Sequence, residues 1–362
     1  MIKFIHTGDL HLGLQFKNAS FPREKAVERR RELWNTFQRI VNHSINVKAD
    51  FLLIAGDLFE ESYFTSGDIK RVRDILASAK DVNILISAGN HDFRGNNSLY
   101  NKVEWSSNVA VFGGNGIERK EFLHLDTVIY GYSWDRVEIK ENRVLSKIPD
   151  DKNLNRILLL HGDVNSNSSY LPLSLNDLNN LNMDYIALGH IHKPNLFSNK
   201  VAYCGCPEPL DFGESGERGI IEGTIKNKET KIIFKPFSNR SFLTLDIKIK
   251  EDMGYEDILR EIKGISMGRK NRDFYRITLE GYIDNDIDLS NLYKDLKDSF
   301  YHIEIFNNTT PDYDLVSLSE DYKDSIVGQF IEAMRNKGLD DEVVRSSLYY
   351  GLDVLLKGRI RL

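Results

Sequence analysis

Ile2-Lys3-Phe4-Ile5-His6-Thr7-Gly8-Asp9-Leu10-His11 sets the reading of the chain: a short apolar run, a glycine turn, then side chains of the kind that bind metals. The design returns four more times. Phe51-Leu52-Leu53-Ile54-Ala55 leads into Gly56-Asp57, and Ile84-Leu85-Ile86 leads into Gly89-Asn90-His91. Ile157-Leu158-Leu159-Leu160 leads into His161-Gly162, and Tyr185-Ile186-Ala187-Leu188 leads into Gly189-His190-Ile191-His192. Continuous apolar runs are expected of strands buried on both faces. In open α/β sheets, sites form outside the carboxyl ends of the strands, so turns scattered along the sequence can converge there.

Between these runs the periodicity changes. Pro22 to Asn46 carries Leu33, Phe37, Ile40, Val41 and Ile45 at helical spacing, and Asp68 to Lys80 reads as another helix. Strands alternating with helices predict an α/β domain with a largely parallel sheet core. After about Ser238 the texture shifts to a small strand–helix–strand module, with strands over Phe242–Lys250, Phe274–Leu279 and Tyr301–Phe306. Asn307-Asn308-Thr309-Thr310-Pro311 reads as a linker, and Asp321 to Leu362 as two amphipathic helices broken at Gly338. The expected division is 1–238, 239–306 and 307–362.

The 362 residues include 48 basic and 54 acidic side chains, a formal net charge of −6, so the chain cannot coat nucleic acid by bulk charge. Any contact with a polyanion needs a local patch or bound cations. Two cysteines cannot build a disulfide fold, and no apolar run is long enough to span a membrane. The N-terminus lacks the pattern of a signal peptide, and the expected location is the cytoplasm.

The turn residues Asp9, His11, Asp57, Asn90, His161, His190 and His192 mix oxygen and imidazole donors with no thiolate. That mixture suits manganese, iron or zinc. Asp-x-His and His-x-His place both ligands on one side of an extended segment. The set divides into Asp9, His11, Asp57 and His192 for one ion and Asp57, Asn90, His161 and His190 for a second, with Asp57 as the bridge. A lone Gly-Asp is usually just a turn. Five such turns, holding five of the nine histidines, are not explained that way. His6 lies beside the site as a candidate support for a ligand; His43, His124 and His302 read as structural.

The order Asp-x-His, Gly-Asp, Gly-Asn-His, His-Gly and Gly-His-x-His resembles the calcineurin-like metallophosphoesterase superfamily. Thr7-Gly8-Asp9-Leu10-His11-Leu12-Gly13, Ile54-Ala55-Gly56-Asp57-Leu58-Phe59 and Ser87-Ala88-Gly89-Asn90-His91-Asp92 look like its SbcD-type branch of DNA double-strand-break repair nucleases. The resemblance covers residues 1 to 235 well and the small module loosely. It implies a four-layer α-β-β-α sandwich with a small α+β capping domain and a C-terminal helical tail. It also implies a metal-dependent DNA nuclease with two divalent ions, Mn(2+) first and iron or zinc as alternatives. Where the family usually has Tyr-Pro-Gly-Ser, this chain has Tyr203-Cys204-Gly205-Cys206. These read as two reduced, buried cysteines rather than a metal site.

Phosphodiesters resist hydrolysis because the nucleophile meets negative charge. Two ions about 3.5–4 Å apart bind the phosphate oxygens, neutralise charge and acidify water. Asp9 and Asp57 alone would repel phosphate, whereas two divalent ions make the site net positive. His91, which matches the family's catalytic histidine, would protonate the leaving oxygen or stabilise the transition state. Arg269, Lys270 and Arg272 form a basic loop in the small module and are candidates for binding the DNA backbone. The tail stripe of Ile326, Phe330, Ile331 and Met334, then Val344, Leu348, Leu352 and Leu355, must cover something. Asp340 is the expected N-cap of its second helix. The resembled nucleases use C-terminal helices to grip an SbcC-type coiled-coil ABC ATPase, and they point to a homodimer. The alternative is a phosphodiesterase for a small nucleotide or cyclic nucleotide; the added module and tail count against it.

Overall fold

In the computed structural model the apolar runs become parallel strands whose carboxyl ends stand level. Described residues are 1–357 except 18, 142–144, 146–147, 149–153, 166, 251 and 285–286; the tail's last residues, 358–362, lie outside them. The chain divides into two compact units, Met1–Ser241 and Phe242–Leu362.

The first unit runs β1 (Ile2–Thr7), α1 (Arg23–Asn46), β2 (Phe51–Ala55), α2 (Ser66–Ala77), β3 (Asn83–Ser87), β4 (Val109–Val111), β5 (Glu118–Phe122), β6 (Thr127–Gly131) and β7 (Asn155–His161). It continues through α3 (Leu175–Asn180), β8 (Tyr185–Gly189), β9 (Asn195–Leu196), β10 (Val201–Tyr203), β11 (Gly219–Lys226) and β12 (Glu229–Pro236). The strands form two six-stranded sheets, ordered β12-β11-β1-β2-β3-β4 and β5-β6-β7-β8-β10-β9. Phe4, Phe51, Leu53 and Leu85 from one sheet meet Ile129, Ile157, Leu159 and Tyr185 from the other in a single buried cluster. The sheets therefore pack face to face, the inner two layers of an α-β-β-α sandwich. This is why β2, β7 and β8 are apolar at consecutive positions: one face meets the partner sheet and the other meets helices or loops. Register aligns Ala55 with Ser87 and His161 with Gly189, so the ligand-bearing turns begin at one level in each sheet.

The first unit also holds a buried polar node. Arg29 of α1 is fully buried, pairing with Glu32 and Glu208 and donating to the Pro209 carbonyl at 2.8 Å. Glu208 also accepts from Thr36, and Arg240 pairs with Glu28 and Glu32. The helix, the 204–210 turn and the end of the unit are thus tied by charge.

The second unit runs β13 (Phe242–Ile249), α4 (Tyr255–Gly264), β14 (Phe274–Asp284), α5 (Leu292–Leu296), β15 (His302–Asn307), β16 (Thr310–Asp312), α6 (Leu315–Asp321), α7 (Ile326–Arg335) and α8 (Glu342–Lys357). The expected linker is sheet: β15 ends at Asn307, and Thr310–Asp312 pairs in parallel with Tyr282–Asp284, the far end of the long β14. Its polar composition suits a short edge strand, where proline is tolerated. The two helices expected over Asp321 to Leu362 are α7 and α8, and a further helix, α6, precedes them from Leu315 under an Asp314 cap. Asp341, not Asp340, caps α8, accepting from Val343 N at 2.8 Å and Val344 N at 3.2 Å. Gly338 adopts φ +95° between the helices. The stripe closes largely on itself: Ile331, Met334, Leu348 and Leu352 join Tyr313 and Val327 in one buried cluster, while Ile326 and Leu355 stay exposed.

Candidate metal centre

All seven ligand-type residues of the sequence reading, with His91, lie at one edge of the first unit. Asp9 and His11 follow β1, Asp57 follows β2, Asn90 and His91 follow β3, His161 ends β7, and His190 and His192 follow β8. The loops are stitched by backbone hydrogen bonds, Asp9 N to Gly56 O at 3.0 Å and His11 N to Asp57 O at 2.9 Å. Four of these residues hold left-handed backbone: Asp9 (φ 49°), His11 (φ 47°), Asp57 (φ 47°) and His190 (φ 98°). Strain of this kind persists only where surroundings over-determine it. Glycine is required by contact at Gly56 and Gly89. A Cβ on Gly56 would stand 2.2 Å from His161 Nδ1, and one on Gly89 would stand 2.3 Å from Asp57 Oδ1.

The donor atoms converge as acceptor against acceptor. His161 Nδ1–H donates to the Ala55 carbonyl at 2.8 Å, which turns the Nε2 lone pair inward. That lone pair faces Asn90 Oδ1 at 3.0 Å and Asp57 Oδ2 at 3.3 Å. His11 Nδ1 bonds Glu60 Oε1 at 2.6 Å, and His192 Nδ1 bonds Glu214. Their Nε2 atoms then meet at 3.0 Å. Lone pairs at such distances repel unless a proton or a cation stands among them. Without an ion, protons would have to fill that role. Burial opposes charge on His161 and His192, yet Asp57 and Asp9 around the one and Glu214 and Asp9 around the other push each up to about 9. Burial likewise opposes charge on Asp57, but the neighbouring imidazoles hold its carboxyl well below the usual range. His190 goes the other way, pushed down to about 3 by burial and by His161. A divalent ion replaces these protons with more charge at one point, and the donor set fits it. Asp9, His11 and His192 lie within one ion's reach of each other, as do Asp9, Asp57 and His161. Asp57 Oδ2 stands 3.3 Å from His161 and 3.9 Å from His11, between the two groups.

Three supporting carboxylates were not singled out in the sequence. Glu60 uses one oxygen for His11 and the other for His91 Nδ1, at 3.0 Å. The two imidazoles hold Glu60 at about 2 against its burial, and the bond to Glu60 raises His91. Glu214 accepts from His192, from Leu210 N at 2.8 Å and from the Cys206 thiol at 3.2 Å. Asp92, fully buried, accepts from the backbone N–H of Asp57, Leu58 and Gly89 and from Tyr100, clamping two ligand loops together. Asp92 directly follows His91, so position alone could have flagged it; Glu214 leaves no local signal, because a fold contact selects it. Cys204 and Cys206 are buried free thiols, and burial pushes both well above the ordinary thiol range. His6 bonds Tyr185 at 2.8 Å between the sheets rather than a ligand.

Arg269, Lys270 and Arg272 belong to the second unit. Arg269 pairs with the buried Asp273 at 3.0 Å, and Lys270 donates to the Lys263 carbonyl.

The calcineurin-like phosphoesterase profile matches residues 2–194, more than half of the chain. The chain belongs to that family. It is 29% identical over 251 residues to the uncharacterized metallophosphoesterase YhaO of Bacillus subtilis, covering 65% of this chain and 60% of that one. It is 28% identical over 300 residues to the DNA double-strand break repair protein Mre11 of Archaeoglobus fulgidus, covering 73% and 65%. It is 24% identical over 351 residues to the SbcD component of the nuclease SbcCD from Staphylococcus epidermidis, covering 84% and 89%. The chain thus spans less than two thirds of the first two relatives' lengths. Among the described residues no helix is long and apolar enough to cross a membrane.

Proposed function

We propose that this calcineurin-like phosphoesterase is a DNA nuclease, the catalytic subunit of a break-repair assembly, working with two divalent ions of which manganese is our first choice. The observation that carries the reading is the buried convergence of acceptor atoms around Asp57, which only cations or protons can occupy. Asp9, His11, Asp57 and His192 would hold one ion and Asp57, Asn90, His161 and His190 the other. When bound, the ions supply Lewis acidity toward the phosphate and a more acidic water.

The protein's own groups do the rest. Nδ1 bonds to Ala55, Glu60 and Glu214 fix the tautomers of His161, His11 and His192, so each presents an Nε2 lone pair. His91 is half-exposed and bonded through Nδ1 to Glu60, which leaves Nε2 to give a proton to the leaving oxygen. The DNA assignment is supported by the relatives named for break repair and nuclease activity. Lys270 and Arg272 would hold DNA phosphates on the second unit. The exposed side of the tail, with Ile326, Val343 and Tyr350, would dock a coiled-coil ATPase, as a subunit arrangement requires. The test is hydrolysis by purified protein of single-stranded DNA, duplex DNA and a cyclic nucleotide across manganese, magnesium, iron and zinc. Metal-dependent cleavage of DNA is expected. Cleavage of the cyclic nucleotide alone would replace this reading with a small-molecule phosphodiesterase.

A further inference from the structure

A cleft of about 400 Å³ opens on the metal-ligand cluster, lined by His11, His91 and His192 and also by Gln15, Lys17 and Tyr63. The two-ion reading makes no use of the last three. Tyr63 ends a short 3-10 turn, Glu61–Tyr63, that begins one residue after the carboxylate holding His91. Its neighbour Phe64 is buried and stacked between Phe59 and Trp34, so the backbone carrying the Tyr63 ring is fixed relative to His91. Tyr63 is 43% exposed, and the Lys17 ammonium sits 4.6 Å from its ring centroid. Gln15 is anchored through Gly13 O at 2.8 Å and through Arg30, which brings a second cation behind this wall.

We propose that this wall binds the nucleotide on the leaving side of the cleaved bond: its base stacks on Tyr63 and its phosphate pairs with Lys17. The proposal rests on the nuclease reading and names the part of the substrate that reading leaves open. An exposed ammonium over an aromatic ring is a weak pair. A nucleobase stacks on such a ring more strongly and without regard to sequence. A base therefore displaces Lys17 from the ring and frees its amine, already at the cleft, for the adjacent phosphate. The volume lies near the lower end of small-ligand sites and accommodates one nucleotide. A base stacked on Tyr63 has left its own stack, so single strands and frayed ends enter directly while a closed duplex must first be opened.

The test uses the full chain with manganese and two single-stranded oligonucleotides, one normal and one with abasic residues flanking the cleaved bond. Tyr63→Leu should raise KM for the normal strand by about tenfold, within the loss of one base–aromatic stack. Tyr63→Phe should keep the low KM. On the abasic strand, wild type and Tyr63→Leu should share the same raised KM, since there is nothing to stack. Lys17→Ala should lower the salt slope of KM by about 0.7, one phosphate contact on a single strand. An equal KM penalty from Tyr63→Leu on both strands, or none on either, would overturn the subsite while leaving the nuclease reading intact. A wild-type enzyme that cleaves neither strand would overturn both.

Discussion

At the carboxyl ends of the first unit's strands the buried residues are Asp9, Asp57 and His161, whereas the cluster among α6, α7 and α8 buries Ile331, Leu348 and Leu352. The first burial is unfavourable by itself: acceptors face acceptors, backbones sit left-handed, and protons must be held at raised pKa. The second needs nothing further, because apolar stripes cover one another. Cationic groups differ in the same way. Arg269 and Lys270 are engaged by the neighbouring Asp273 and by a carbonyl of α4, while the imidazoles of the first unit are aimed at a shared centre. The lesson is that an arrangement that does not pay for itself through packing marks the chemistry, and a self-satisfied one marks support or docking.

The hardest strike on this contrast is Asp57→Ala. It removes the carboxylate between the two ligand groups, and hydrolysis should fall by at least about a thousandfold. Metal analysis should find fewer than two ions per chain; two ions at wild-type affinity would end the bridging assignment. His91→Ala should keep both ions and lose about 10²–10⁴-fold in turnover on DNA, the usual worth of a general acid. Loss of metal instead would make His91 a ligand. Glu60→Gln should cost about 10–100-fold, because it loosens His91 and His11 together.

Leu352→Ala sharpens the contrast from the other side. A buried leucine lost from the tail cluster should cost about 2–5 kcal/mol, read by chemical denaturation as destabilisation of the second unit. Metal content should not change; if it does, the two units do not separate chemistry from support.

Proton linkage gives a gentler test. His161 and His192 stand near 9 in the folded metal-free protein against an ordinary 6.5, so their stabilisation is full below about 6.5 and is lost as pH rises through about 9. Thermal melts should show metal-free protein weakening across that window and manganese restoring it at pH 9, while manganese affinity rises with pH as the competing protons leave. A flat melting profile without metal would mean that protons do not fill the centre. Smallest of all, Lys270→Ala with Arg272→Ala should reduce the salt slope of DNA binding by up to about two contacts. An unchanged slope would return the loop to ordinary solvated surface.

Most of the α/β layout was legible, because strands buried on both faces announce themselves as apolar runs and their turns carry the polar residues. The ligand-type residues were legible for the same reason: each sits at a strand end or within four residues past one. What was not legible depends on contacts between distant segments. Asn307–Pro311 looks like a linker because edge-strand residues are polar, and only the exposed end of β14 makes Thr310–Asp312 a strand. Glu214 is joined to His192 across 22 residues, and Arg269 and Lys270 are tied down by Asp273 and by a carbonyl on α4.

The left-handed backbone at Asp9, His11 and Asp57 also bears on descent. An L-residue held there costs roughly 1–2 kcal/mol that glycine would not. Against a total stability of about 5–15 kcal/mol, three such positions are a standing load on the fold. A lineage released from hydrolysis would gain stability by drifting to glycine at these sites before any core residue changed. Glycines at positions 9, 11 and 57 of a sister sequence would therefore be the earliest trace of a retired enzyme.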